Sequence, residues 1–133
     1  MKLKRTLVAV AAIFCLGISA SVATAQARVV VHFAKGHHDA SAKGSIKGYT
    51  YIDYVLGAKA GQHMLVELSS LNDKAQFVVR GPDNENLEYG TGVQEWAGDL
   101  QQSGDYTVRV LMSRAEARRK GAASSFVITF TIK

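Results

Sequence analysis

Cysteine occurs once in these 133 residues, at Cys15, and proline once, at Pro82. Cys15 lies in an apolar N-terminal stretch. The rest of the chain therefore has no disulfide, no thiolate zinc site and no thiol nucleophile. Small domains in oxidising compartments commonly use disulfides; this one has to hold together by packing. Long helical periods, internal repeats and low-complexity linkers are missing as well. So are the usual marks of catalysis. No GxSxG elbow occurs. The "GTG" of Gly90 to Gly92 has neither the lysine nor the helix of a phosphate loop. His37 and His38 in "GHHD" would point to opposite faces of a strand, with no third ligand in sight. The acids read as loop residues rather than as a pair flanking a glycosidic bond. The expectation is a protein that is not an enzyme and holds no metal and no cofactor.

The N-terminus has three parts: basic "MKLKR", apolar "TLVAVAAIFCLGISA", and "VATAQ" with small residues at Ala23 and Ala25. The apolar run falls short of the roughly 20 residues that span a bilayer, and the small-residue exit is what a signal peptidase reads. Phe14 precedes Cys15, where a lipoprotein signal carries a small residue. Residues 1–25 are predicted to be a cleaved signal peptide and residues 26–133 one exported domain, in the periplasm and off the membrane. Three of the 16 Lys and Arg residues (Lys2, Lys4, Arg5) leave with the signal, so the formal charge drops from +5 to +2. Bulk attraction to nucleic acid is not expected; charge has to be read by position.

Strand rhythm fills the remainder. "RVVVHFA" (Arg28 to Ala34) is rich in β-branched residues, and "GSIKGYTYIDYVLGA" carries apolar and aromatic positions around a bend at Gly48. "GQHMLVELSS" alternates through Met64, Val66 and Leu68, and "AQFVVRG" stops at Gly81-Pro82. "LEYGTGVQEWAGDL" is less regular. In the last two segments Tyr106, Val108 and Val110, then Phe126, Ile128, Phe130 and Ile132, each share a face. The pattern predicts an all-β protein, an antiparallel β-sandwich of seven to eight strands.

Charge is sorted along the chain. Gly81 to Val108 holds Asp83, Glu85, Glu88, Glu95, Asp99 and Asp105 and no Lys or Arg; Arg109, Arg114, Arg118, Arg119 and Lys120 follow, with Glu116 among them. The connection between Met112 and Ser125 is longer than the two to five residues usual for a hairpin. Within it "SRAE" has capping-box form, with Ser113 as N-cap and Glu116 three residues on, and Gly121 suits a C-cap. A short helical turn near 114–120 is predicted. It would place Arg114 and Arg118 on one face, suited to forked binding of carboxylates. Of the clustered tyrosines, Tyr51 and Tyr54 read as packing residues; Tyr49 reads equally as packing or as a contact.

The segments "FAKGHHDA", "GSIKGYTYIDYVLGAKAGQ" and "SGDYTVRVLMSRAEARRK" resemble the periplasmic inhibitors of goose-type (g-type) lysozyme from Gram-negative bacteria. The "SGxY" of Ser103 to Tyr106 is also similar to an element of invertebrate-type lysozyme inhibitors. The resemblance implies a β-sandwich that binds g-type lysozyme and occludes its cleft. It implies contacts at Tyr49, Ser103, Gly104, Arg114 and Arg118. The stretch from Asp83 to Asp99 departs from the family pattern. A lysozyme presents a carboxylic acid in its cleft, so the gathered cations have a natural counterpart. Two rival readings stand beside this one: a generic secreted sandwich module with no lysozyme target, and a glycan-binding domain using Tyr49, Tyr51 and Trp96.

Overall fold

Among the described residues, alternation of apolar and polar side chains produces eight strands in two layers. The computed structural model describes residues 27–87 and 94–133. Its elements are β1 (Ala27–Val30), β2 (Asp39–Lys47), β3 (Ile52–Ala58), β4 (His63–Ser70), β5 (Ala75–Arg80), β6 (Glu95–Asp99), β7 (Gly104–Met112), α1 (Arg114–Ala117) and β8 (Ala123–Ile132). One four-stranded sheet has the order β1-β3-β7-β5, and the other β2-β8-β4-β6. The predicted signal segment with Cys15, the "GTG" motif and Glu88 lie outside the described residues.

The predicted faces are the buried ones. Tyr106, Val108 and Val110 of β7 meet Phe126, Ile128, Phe130 and Ile132 of β8 in the space between the sheets. Met64, Val66 and Leu68 of β4 and Phe77 and Val79 of β5 complete the core. Tyr54 stands against Phe126 (ring centroids 6.3 Å apart, edge-on) and Phe130 (5.5 Å), and burial pushes its phenol pKa up. Gly44 of β2 lies against this cluster. A Cβ there would sit 2.5 Å from Phe126 Cζ and 2.9 Å from the Tyr54 hydroxyl, so only glycine lets the strand approach.

Three details differ from the sequence expectation. The "GSIKGYTYIDYVLGA" stretch is two strands in different sheets, because the chain turns at Gly48 and crosses between layers. The strand expected over Arg28 to Ala34 is shorter, and β1 joins β3 in parallel, so the sandwich is antiparallel except at that edge. The sequence does not mark most of β2 as a strand, because its inward positions, Ala40, Ala42 and Gly44, are too small to show an apolar face. Edge strands bury less and tolerate such residues.

Candidate functional site: the basic tip of the sandwich

The β2–β3 turn, the β4–β5 turn and the β7–β8 connection meet at one end of the sandwich, because Lys47 pairs with Ala123, Ser70 with Phe126 and Ala75 with Met112. Tyr49 is presented by a clamped turn. Gly48 N–H donates to the Ala122 carbonyl at 2.9 Å. The Thr50 hydroxyl donates to the Lys47 carbonyl at 2.7 Å and accepts from its N–H at 2.9 Å. Tyr49 itself is 68% exposed. It is a surface residue and does not pack between the sheets.

The helical turn forms as the capping pattern requires, but it is shorter than predicted: Arg118 is already its C-cap. Ser113 Oγ accepts from Glu116 N–H at 3.3 Å. Ala117 is buried and pins the turn to the sandwich. Glu116 receives Lys74 Nζ at 3.1 Å and Arg119 Nε at 3.6 Å. Arg114 and Arg118 are exposed and have no acidic partner among the described residues. The tip thus gathers Lys47, Lys74, Arg114, Arg118, Arg119 and Lys120 against Asp73 and Glu116. Arg109 does not belong with them. Its Nε and Nη2 donate to the two carboxylate oxygens of Asp53 at 2.8 and 2.9 Å. Its guanidinium lies 3.7 Å from the centroid of the Tyr51 ring, and the Asp53 bond raises its pKa further.

Ser103 and Gly104 are elsewhere. β7 begins at Gly104 and ends at Met112, eight steps of about 3.4 Å, so the two implied contact groups stand roughly 27 Å apart. At the far end Ser103 Oγ accepts from Ala60 N–H at 2.9 Å. Gly104 has φ +143 and lies against Pro82, which a Cβ would meet at 2.9 Å. The buried Tyr106 donates its hydroxyl to the Gln102 carbonyl at 2.6 Å. The "SGxY" element therefore builds its own turn. Its surroundings are acidic, with Asp83, Glu85, Asp99 and Asp105 exposed nearby. A hydrogen bond from the Gln102 side chain holds the Asp83 carboxyl below its usual pKa.

The aromatic trio of the glycan reading is dispersed. Tyr49 is at the tip, Tyr51 is covered by Arg109 on an outer sheet face, and Trp96 packs against the core beside Val66. These three rings do not form one stacking platform.

No family model matches the chain. The curated inhibitor of g-type lysozyme from Escherichia coli (strain K12) is 37% identical over 114 residues, spanning 81% of this chain and 84% of that protein. The chain belongs to the g-type lysozyme inhibitor family. Among solved structures, the periplasmic g-type lysozyme inhibitor PliG of Aeromonas hydrophila is 38% identical, with a TM-score of 0.73 over 80% of this chain and 96% of its own. Salmonella Typhimurium PliG is 35% identical, with a TM-score of 0.65 over 80% of this chain and 98% of its own. In this member of the family, Lys47 and Lys74 join the tip from distant parts of the sequence. Nothing in their local pattern marks them; sheet pairing alone brings them to Arg114 and Arg118.

Proposed function

We propose that this protein is a periplasmic inhibitor of g-type lysozyme that binds the enzyme with its basic tip and occludes the active-site cleft, protecting peptidoglycan. Family membership across most of the chain supports the activity, and one observation supports the face: Arg114 and Arg118 are displayed, unpaired among the described residues, on a turn held by Ser113, Ala117 and Glu116. Arg114 enters the cleft and offers its planar fork to a carboxyl, with Arg118 beside it and Tyr49 packing on the same partner surface. Burying such a pair costs desolvation, which bidentate geometry offsets. A preformed turn limits the entropy lost on binding. Ser103 and Gly104 lie at the acidic end, where an acidic cleft is repelled, and they serve the fold. The protein acts by binding, without turnover of peptidoglycan. Export removes residues 1–25.

The test adds the purified domain to g-type, c-type and invertebrate-type lysozymes in a cell-wall lysis assay. Stoichiometric inhibition of the g-type enzyme is expected. Undiminished lysis by that enzyme at a large excess of the protein refutes the reading.

A further inference from the structure

Specific protein interfaces bury about 800 Å² on each partner and use roughly 20–30 residues a side. Tyr49, Arg114 and Arg118 alone are too few to supply that, and a sheet face descending from the tip offers the additional area. On the β1-β3-β7-β5 face, the groups nearest the tip already satisfy one another: Arg109 is bonded to Asp53 and stacked on Tyr51. The other face is open. There Lys43 to Ser45, Ser69 to Leu71 and Ser125 to Val127, from β2, β4 with its following turn, and β8, line a shallow groove of about 570 Å³. Val127 is exposed in it, and among the described residues that line it Lys43 is the only charged one and none is a carboxylate.

Leu71 stands at the tip end of this groove, 92% exposed. A lone exposed leucine needs no explanation; this one is held in place. Its N–H donates to the Ser125 carbonyl at 3.2 Å. The next residue, Asn72, donates Nδ2 to the Ala123 carbonyl at 2.8 Å and accepts from Ser124 Oγ at 2.7 Å. Lys74 ties the same turn to α1 through Glu116. Leu71 and the two arginines are thus fixed relative to each other, a preorganisation that favours binding as one surface.

We propose that the lysozyme-binding surface runs from Tyr49, Arg114 and Arg118 over Leu71 into this groove, with Leu71 as an apolar anchor against the rim of the lysozyme cleft. The inference rests on the function proposed above. Lys43 and the lack of acids extend the positive tip, complementary to an acidic partner.

Inhibition of g-type lysozyme and melting temperature are measured for the parent, Leu71→Asp, Leu71→Ala and Arg114→Ala, with hydrogen exchange on the parent complex. Leu71→Asp is expected to melt like the parent and to weaken inhibition by about 30-fold, the loss of an interface anchor. Leu71→Ala is expected to weaken it less. Backbone amides of residues 69–72 and 125–127 should exchange more slowly in the complex. If Leu71→Asp inhibits like the parent while Arg114→Ala fails, the groove is not in the interface and the inference falls, but the basic tip stands. If Leu71→Asp loses stability, hydrogen exchange decides: unprotected groove amides overturn the inference. If the parent inhibits no g-type lysozyme, both readings fall together.

Discussion

Replacing Arg114 with alanine separates binding from folding. In the free protein its side chain is exposed and makes no hydrogen bond or ion pair among the described residues. Ser113, Ala117 and the Lys74–Glu116 pair hold the turn without it. A surface substitution of this kind shifts stability by no more than about 0.5 kcal/mol. In the complex the situation reverses. Removing one member of a buried, hydrogen-bonded charge pair costs about 2–5 kcal/mol, mostly because the other charge is left unpaired. At about 1.4 kcal/mol per tenfold change, inhibition weakens by roughly 30-fold to several thousandfold. Arg114→Lys should also fail substantially, since an ammonium cannot reproduce the planar fork. Arg119 serves as the control. It is exposed and already shares Glu116 at 3.6 Å, so Arg119→Ala should act mainly on association rate and salt dependence. The assay is the inhibition constant against g-type lysozyme at two ionic strengths, with melting temperature alongside. If Arg114→Ala inhibits as well as the parent while Arg119→Ala does not, the assignment of the binding face is wrong. If neither changes inhibition, the tip is a solvated loop.

Val108 is fully buried, and Val108→Ala should lower stability by about 1–3 kcal/mol in denaturant titration, from lost transfer energy and incomplete collapse. Gly44→Ala drives a methyl to 2.5 Å from Phe126 Cζ and should destabilise by about 1–3 kcal/mol; an unchanged midpoint would show that β2 yields freely. Ser103→Ala should leave inhibition intact while loosening the turn at Ala60; a large loss of inhibition at unchanged melting temperature would move the partner to the acidic end. Mass spectrometry of a periplasmic extract should find a chain beginning at Gln26, and an intact Met1 chain in the membrane fraction would overturn the assigned cleavage.

Which residues become strand cores was legible from side-chain period alone. Wherever a large apolar residue recurs at every second position, as at Tyr106, Val108 and Val110 or Phe126, Ile128 and Phe130, one face must be buried, and it is. The capped turn at Ser113 to Glu116 was equally local, because its donor and acceptor lie three residues apart. What lay beyond local reading was every fact about which distant segments meet. The split of "GSIKGYTYIDYVLGA" between two sheets follows from pairing with β8 on one side and β7 on the other. Arg109 looked like one of the free cations until the register set it opposite Asp53. Ser103 and Arg114 are close in sequence, yet an extended nine-residue strand separates them. Lys47, Leu71 and Lys74 are far from Arg114 in the chain, yet sheet pairing brings their turns to the same end of the sandwich as its own. Local chemistry fixes what a residue can do along its own strand; only long-range sheet pairing decides which charges remain unpaired, and on which end of the sandwich a partner finds them.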